Sequence, residues 1–318
     1  MNNLVSVCVP TWNEEKTIGC TLNSILRQNF PGKIGVLVCA NGCTDRTAEI
    51  VKYHEKRDSR VRLIEIHERG KPGAWNTCVD QAQSNYVIFC DADVCLGDDS
   101  IGLLYGKLIS SGKTGVTGLI IPVYNGSGYF AEFLWPKPKE DFVSSKDHFS
   151  GGLYGVNKRN LLERMHQLGL DKMPGDIISE DFFLAVLIGE QNRDFSRGAV
   201  AYHVAPNLVD FISTCSRNLR GRMQITEQFP ALMEEAHRIR GIYPENTLLS
   251  KGIYHLCKIA ESKDVSEAYQ RSLSLLIRVL AKGVIKVITY TGKIGTLPSE
   301  WRVAKSTKRP IEPREMYS

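Results

Sequence analysis

The N-terminal third of the chain alternates runs of β-branched apolar residues with segments of helical periodicity, and this alternation constrains the fold more than any other feature. The apolar runs predict strands at residues 5–9, 34–39, 61–66 and 86–90. Between the first two runs, Ile18, Leu22 and Ile25 recur at the spacing of an amphipathic helix. Strands that alternate with helices pair in parallel through right-handed crossovers. We therefore expect an α/β fold with a doubly wound, mostly parallel sheet flanked by helices.

The remainder of the chain is organised differently. We expect a helix near residues 101–109, a strand near 115–123 and a loop-rich aromatic wall at 129–138, with Phe130, Phe133 and Trp135 available to stack on a ligand or to pack in the core. From residue 207 onward helices are predicted at 207–228, 245–262 and 265–290, and residues 306–318 look mobile. The length of 318 residues allows one large domain with an appendage. We predict the domain at residues 1–225, with halves at 1–95 and 96–225, and a helical C-terminal extension at 226–318.

Composition is that of an ordinary globular protein. The nine cysteines include no CxxC pair and several lie in predicted strands, which is typical of reduced thiols in a cytoplasm. A zinc site built from Cys39 and Cys43 would lack a second Cys/His pair at suitable spacing. The start of the chain shows no basic leader, and no apolar stretch reaches the length of a membrane span. We expect a cytoplasmic protein.

Two aspartates close the fourth predicted strand. Asp91 and Asp93 stand one residue apart after the apolar run 86–90, a costly placement unless a cation is near. Ligands of open α/β sheets bind outside the carboxyl ends of the strands. Hard oxygen ligands at that edge suit Mg²⁺ or Mn²⁺ carrying a diphosphate. The alternative is an Asx-rich turn that caps the next helix.

Several motifs occur in a characteristic order along the chain. They are Val9-Pro10-Thr11-Trp12-Asn13-Glu14-Glu15, Asn41-Gly42-Cys43-Thr44-Asp45, Gly70-Lys71-Pro72-Gly73-Ala74-Trp75-Asn76, Asp91-Ala92-Asp93, Gly151-Gly152-Leu153-Tyr154-Gly155 and Ser179-Glu180-Asp181. In this order and spacing they resemble family 2 glycosyltransferases, which have the GT-A fold. The resemblance covers about residues 3–225 and implies an inverting hexosyltransferase that uses a nucleotide-sugar donor.

The resemblance implies a donor site made from the first four motifs. Its residues would be Pro10, Thr11, Asn13, Glu14, Asn41, Lys71, Asp91, Ala92 and Asp93. The family usually carries a carboxylate where this chain has Asn41, so a UDP-sugar is favoured without being fixed, and a simple turn at Asn41-Gly42 is the alternative. Lys71 is expected in a flexible loop that approaches the diphosphate or the sugar it carries, and the alternative is a lysine that is only solvated.

Metal and catalytic roles also follow from the resemblance. Asp93 would be the direct ligand of Mn²⁺ or Mg²⁺, with Asp91 on the ribose or on a metal-bound water. His203, at the end of another predicted strand, could add an imidazole, although such a histidine is more often structural. Asp181 would act as the general base. Asp181 and Glu180 could instead merely cap the helix that follows them.

The acceptor side is less well defined. Gly152, Tyr154 and Glu180 are expected to meet the acceptor, which could be a glycan, a lipid-linked sugar or a small molecule. Candidate phosphate-binding residues are Arg217, Arg220 and Arg222. They lie where processive relatives carry Gln-x-x-Arg-Trp, and because that sequence is missing we expect a non-processive enzyme.

Charge patterning suggests one further partner. The net charge is +5, and a predicted basic amphipathic helix at 271–286, with Arg271, Arg278, Lys282 and Lys286 on one stripe, could lie on an anionic bilayer at the inner face of the membrane. The alternative is a packed helix with its charged stripe in water. No nucleic-acid partner is expected, because no recognised binding module is present.

Two other functional classes compete with the enzyme. A non-catalytic member of the same fold could bind sugar nucleotide or glycan without turning it over. A nicotinamide-dependent dehydrogenase would share the alternating start, but its first turn should carry G-x-G-x-x-G, whereas this chain has Pro10-Thr11-Trp12-Asn13-Glu14-Glu15.

Overall fold

The computed structural model describes residues 4–67, 70–124, 131–135, 137–138, 149–240, 307–311 and Met316. One eight-stranded sheet lies at its centre. The strands are β1 (Leu4–Thr11), β2 (Lys33–Asn41), β3 (Val61–Ile66), β4 (Tyr86–Cys90), β5 (Val94–Leu96), β6 (Gly115–Val123), β7 (Leu153–Asn157) and β8 (Arg193–Val204). The helices are α1 (Ile18–Leu26), α2 (Thr47–Arg57), α3 (Lys71–Gln81), α4 (Ser100–Ser111), α5 (Ala131–Leu134), α6 (Lys158–Gln167), α7 (Glu180–Ile188), α8 (Leu208–Gln228) and α9 (Pro230–Arg240).

The sheet has the order β3-β2-β1-β4-β7-β6-β8-β5. Pairs β1–β2, β2–β3, β1–β4 and β6–β8 are parallel, whereas β4–β7, β6–β7 and β5–β8 are antiparallel. The mostly parallel sheet flanked by helices, predicted from the N-terminal alternation, is confirmed. Two of its three antiparallel pairs arise where β7 enters the sheet between β4 and β6, and the third joins β5 to β8 at one edge.

Alternate residues of each central strand face opposite layers of helices. Val5, Val7 and Val9 of β1 pack in one apolar cluster with α1 and α4, whereas Cys8 packs in another with α3 and α7. A strand directs successive side chains to opposite faces, so a strand covered on both faces reads as a continuous apolar run. This explains why the short runs of Val and Ile predict the central strands so well.

Element bounds follow the sequence pattern closely in the first two thirds of the chain. The predicted bounds of β3, β4 and β6 are reproduced, and the predicted helix at 207–228 corresponds to α8. β5, β7, α5, α6 and α9 were not predicted. β5 has only three residues, too few to show a period, and α9 follows α8 after a single residue. The division at residue 225 stays a prediction, and it falls inside α8, where Ile225 is buried against α7 and α9.

The predictions for the C-terminal region have different outcomes. The segments at 245–262 and 265–290, including the basic stripe at 271–286, lie outside the described residues. No helix in the described ranges is long and apolar enough to cross a membrane. The expectation of a mobile end was wrong for the part that is described, because Thr307, Ile311 and Met316 are buried. Ile311 and Met316 contribute to an apolar cluster with Tyr202 and Val204 at the end of β8.

Candidate active site

The carboxyl ends of three neighbouring parallel strands form one edge of the sheet. β1 ends at Thr11, β2 at Asn41 and β4 at Cys90, which is followed directly by Asp91. Since parallel strands end on the same side, the polar residues that the sequence places after each apolar run gather at this edge. Ala92 is anchored there, because its carbonyl oxygen lies 2.9 Å from the hydroxyl of Thr21 in α1.

Two buried polar side chains at this edge lack hydrogen-bond partners among the described residues. Asn41 is 1% exposed, and neither its amide oxygen nor its amide nitrogen is paired. The hydroxyl of Thr11, 0% exposed, is also unpaired. Unpaired buried polar atoms cost folding free energy, so they point to a polar ligand that completes them. A nucleobase edge, with donors and acceptors side by side, fits an amide that offers both.

The turn after β1 is held by side chain-to-backbone bonds. Asn13 has a left-handed backbone with φ 55°, and its side-chain oxygen accepts from the backbone N–H of Thr44 at 2.8 Å. The backbone N–H of Glu14 donates to the Thr47 hydroxyl at 2.7 Å. These contacts tie the first motif to the second and direct the buried Glu14 side chain into the site.

Lys71 bridges two acids on opposite sides of the site. Its ammonium donates to Asp91 at 2.7 Å and also contacts Glu180 at the start of α7. Burial alone would lower the pKa of Lys71, but the two carboxylates outweigh it and raise that pKa. The prediction that Lys71 lies in a flexible loop was wrong, because this residue begins α3. Pro72 follows at a position that suits the first turn of a helix.

A second cluster of charges surrounds Asp93. His203 lies 3.4 Å from Asp93 Oδ2, because β8 pairs with β5 in a register that sets His203 opposite Val94. The ammonium of Lys308 lies 3.0 Å from the same oxygen and also contacts Glu14. Lys308 was not predicted from the sequence, because a lysine near the end of the chain gives no local signal that it reaches a site formed by the N-terminal strands.

The two acids that share Lys308 have opposite pKa shifts. Burial would raise the pKa of Asp93, but Lys308 and His203 outweigh it and hold that pKa well below its usual range. Burial and the neighbouring Asp93 raise the pKa of Glu14 to about 7, against the effect of Lys308. Burial would lower the pKa of His203, whereas Asp93 raises it overall. When carboxylates compete for one cation, the weaker competitor is driven towards its neutral form.

The residues around Asp93 fit a divalent cation held together with a substrate. No cluster of three or more His, Cys, Asp or Glu side chains in the described ranges forms a complete metal cage. Mg²⁺ and Mn²⁺ in nucleotide sites need only one or two protein carboxylates, because phosphate and water oxygens complete the coordination shell. Asp93 and His203 supply an oxygen and a nitrogen at one point. Asp91, the third predicted ligand, is instead paired with Lys71.

A glycine segment separates Asp91 from Asp181. A Cβ added to Gly152 would lie 3.7 Å from Asp91 Oδ2, and one added to Gly151 would lie 3.3 Å from Asp181 Oδ2. The other oxygen of Asp181, Oδ1, accepts from the Ser179 hydroxyl and from the backbone N–H of Phe182, each at 2.7 Å. One oxygen of Asp181 is therefore fixed, and the other faces the glycine backbone.

The remaining acceptor-side predictions have mixed placements. Tyr154 is 2% exposed, its hydroxyl accepts from Trp75 Nε1 at 3.0 Å, and its ring stacks on Phe89. Its acceptor-binding role stays a prediction, and this burial argues against direct contact. Burial raises the pKa of Glu180, with Lys71 opposing the shift. Trp135 lies 6.1 Å from the ring of His203, at the rim of the site.

The aromatic and arginine candidates are only partly placed. Phe130 and the side chain of Phe133 lie outside the described residues. Arg217, Arg220 and Arg222 are carried by α8, and the guanidinium of Arg222 stands 5.0 Å from the ring centroid of Phe182, next to Asp181. Their role in phosphate binding stays a prediction. Cys39 is buried within β2, with Cys78 as its sulfur neighbour, so the structure gives no support to a zinc site with Cys43.

The sequence was compared with protein-family models and with curated proteins. The family model described as "Glycosyl transferase family 2" matches residues 6–161. This match identifies residues 6–161 as a family 2 glycosyltransferase sequence. Poly(ribitol-phosphate) beta-N-acetylglucosaminyltransferase TarS from Staphylococcus aureus (strain Mu50 / ATCC 700699) is 36% identical over 98 residues, which are 30% of this chain and 17% of TarS. A Campylobacter jejuni GalNAc(5)-diNAcBac-PP-undecaprenol beta-1,3-glucosyltransferase is 30% identical over 167 residues, 50% of this chain and 53% of that enzyme.

Solved structures agree on the fold. Mannosyltransferase PcManGT from Pyrobaculum calidifontis, in complex with GDP-Man and Mn2+, superposes with a TM-score of 0.55 at 20% identity, covering 93% of this chain and 81% of that one. S. aureus TarS 1–349 in complex with UDP gives a TM-score of 0.50 at 17% identity, with 91% of each chain covered. The expected GT-A architecture is confirmed. The sequence matches span well under two thirds of the two curated relatives.

Proposed function

We propose that this chain is an inverting, non-processive glycosyltransferase that moves a sugar from a nucleoside-diphosphate sugar to a hydroxyl acceptor. A UDP-sugar is the preferred donor. The observation that carries the proposal is the glycine segment between Asp91 and Asp181. It brings a donor-side acid and a candidate base to the two sides of one short stretch of backbone. A reacting sugar held over these glycines would present its anomeric carbon between the two acids.

The donor half of the site suits a nucleoside diphosphate. Asn41 and Thr11 have unpaired polar atoms at the sheet edge, where a base would bind, and Lys71 stands beside Asp91, where a phosphate would gain a cation. The uracil preference is supported by TarS, which was solved with UDP, and a divalent cation by PcManGT, which was solved with Mn2+. Asp93 and His203 would hold the cation, which when bound would neutralise the charge of the leaving diphosphate.

The acceptor half suits base catalysis by Asp181. As the acceptor oxygen forms its bond to the anomeric carbon, the bond from that carbon to the diphosphate breaks on the opposite face. The acceptor proton passes to Asp181 Oδ2, while the bonds from Ser179 and Phe182 fix the other oxygen. Attack from one face and departure from the other invert the anomeric configuration. The name of the Campylobacter enzyme makes a lipid-linked glycan one reasonable acceptor class.

A first test concerns the donor site. UDP, GDP and dTDP would be titrated calorimetrically, each with Mn²⁺ or with chelator, into wild type, Asp93→Ala and the exposed control Asp171→Ala. We expect UDP to bind with Mn²⁺ and Asp93→Ala to weaken binding by about tenfold or more, because a metal ligand is lost. The control should match wild type. If no nucleotide binds in either condition, the donor site is wrong.

A second test concerns the chemistry. Hydrolysis of a panel of UDP-sugars, with water as a slow acceptor, would be compared in wild type and Asp181→Asn. We expect the variant to lose about 10²- to 10⁴-fold in kcat, the range for a removed general base, while its affinity for UDP is unchanged. Equal rates would exclude Asp181 as the base. Nucleotide binding without hydrolysis in either protein would favour the non-catalytic member of the fold.

A further inference from the structure

The described end of the chain is docked inside the candidate donor site. Thr307 is 2% exposed and Ile311 is 5% exposed. Ile311 packs in an apolar cluster with Cys95 of β5 and Tyr202 of β8, on the two strands that also position Asp93 and His203. A segment held by buried side chains at both ends of its turn has a defined place in the site.

Between these buried residues, Lys308 stands where a divalent cation would be needed. Its side chain is 15% exposed, and its ammonium contacts Asp93 Oδ2 at 3.0 Å and Glu14 Oε1. His203 approaches the same oxygen of Asp93. A divalent ion bound to that oxygen would sit within a few ångströms of the ammonium. Two cations so close, in a partly desolvated site, repel each other strongly.

We propose that Lys308 is an internal cation that competes with the divalent metal for Asp93 and Glu14, so that the C-terminal segment 307–311 is a built-in inhibitor of metal and donor binding. The inference rests on the cation site of the proposed function and adds its regulation. In the docked state the ammonium contacts both acids. Metal binding requires the Lys308 side chain to leave them.

Equilibrium binding of Mn²⁺ alone tests the competition. Calorimetric titration would compare wild type with Lys308→Gln, which keeps much of the side chain and removes its charge. We expect the variant to bind Mn²⁺ about tenfold or more tightly, since the competing charge is gone. Lys172→Gln, a matched control, removes the same charge from a side chain that is 64% exposed and should bind as wild type does. Ile311→Asn should behave like Lys308→Gln, because it undocks the segment that carries Lys308.

Chemical labelling of lysines provides a readout in the wild-type chain. An amine-acetylating reagent followed by mass spectrometry reports how accessible each ammonium is. In chelator, Lys308 should react at least about tenfold more slowly than Lys172, whose side chain is 64% exposed. With saturating Mn²⁺ the labelling of Lys308 should rise towards that of Lys172, and Lys172 itself should not change.

The outcomes separate this inference from the function on which it rests. Equal Mn²⁺ affinity of wild type and Lys308→Gln overturns it, as does fast labelling of Lys308 in chelator. If none of the proteins binds Mn²⁺, either alone or with UDP present, this inference and the proposed cation site both fail. If Lys308→Gln binds tightly but no UDP-sugar is hydrolysed, the competition stands and the proposed catalytic function fails.

Discussion

Each lysine of the candidate site faces two acids. Where two carboxylates share one ammonium, one stays ionised and the other is pushed towards its neutral form. This division is seen in the lowered pKa of Asp93 and the raised pKa of Glu14. The two groups are Lys71 with Asp91 and Glu180, and Lys308 with Glu14 and Asp93.

The raised pKa of Glu14 makes the stability of the metal-free protein depend on pH. Its carboxyl titrates near 4.5 when unfolded and at about 7 when folded. A group with a raised folded pKa stabilises fully below its unfolded pKa, and this contribution is lost as pH rises through the folded pKa. From pH 4.5 to pH 7.5, wild type should therefore lose up to about 3 kcal/mol relative to Glu14→Gln. Urea unfolding of both proteins in chelator would measure the difference.

The control for this experiment is the neighbouring acid. The side chain of Glu15 is 33% exposed and contacts Arg46 at the surface. Glu15→Gln should keep the pH dependence of wild type. If Glu14→Gln and wild type show parallel stability curves over this range, burial does not govern the titration of Glu14.

Asn41 offers a trade between stability and function. Its buried amide has no partner among the described residues, so Asn41→Leu should raise the free energy of unfolding by about 1 kcal/mol. The same change should weaken UDP binding, because the amide is the proposed reader of the base. Chemical denaturation and calorimetry measure the two effects.

Asn85 is the matched control for that substitution. Its amide donates to Asn157 at 3.0 Å and accepts from the backbone N–H of Arg159 at 2.9 Å. Asn85→Leu should therefore destabilise the protein by about 1–3 kcal/mol, since partners are left unpaired. A loss of stability in Asn41→Leu as large as that in Asn85→Leu would show that the Asn41 amide already has hydrogen-bond partners in the ligand-free protein.

At the scale of elements, the candidate base depends on how two helices meet. Glu180 and Asp181 occupy the first turn of α7, where the helix dipole favours acids. α8 crosses this end at Gly221, where an added Cβ would lie 2.5 Å from the Cβ of Ser179 and 3.0 Å from its backbone nitrogen. Ser179 in turn donates to Asp181. The glycine of one helix thus sets the position of an acid on another.

This contact reverses the usual effect of alanine in a helix. Replacing a helical glycine by alanine normally stabilises by about 0.5–1 kcal/mol, but Gly221→Ala should destabilise and slow UDP-sugar hydrolysis, because α8 must shift from Ser179. Gly106→Ala in α4, with open space around the new Cβ, is the control and should stabilise. Thermal unfolding and hydrolysis rates measure both. Stabilisation of both variants would contradict the close approach.

At the scale of the whole molecule, the described C-terminal residues complete a site built by the N-terminal half. Lys308 and Asp93 are 215 positions apart in the chain, yet their side chains are in contact. Ile311 and Met316 pack in an apolar cluster with residues of β5 and β8. This packing places the ammonium of Lys308 beside the acids of the site. Removing the charge or the packing should have the same effect on metal binding.

The sequence by itself determined the elements and the polar residues that follow them. Hydrophobic periodicity and the residues that end an element are signals that span only a few positions. The apolar runs of β4 and β6, and the acids of Asp91-Ala92-Asp93, could therefore be interpreted without a structure. They also predicted that these acids lie at the carboxyl edge of a parallel sheet, together with Asn41.

Only the tertiary structure decided which charges meet. Asp91 and Asp93 are one residue apart, but the first pairs with Lys71 and the second with His203 and Lys308. Such pairing depends on strand register, helix packing and the docking of a distant segment by apolar burial. These interactions join residues far apart in the chain, and no local pattern records them.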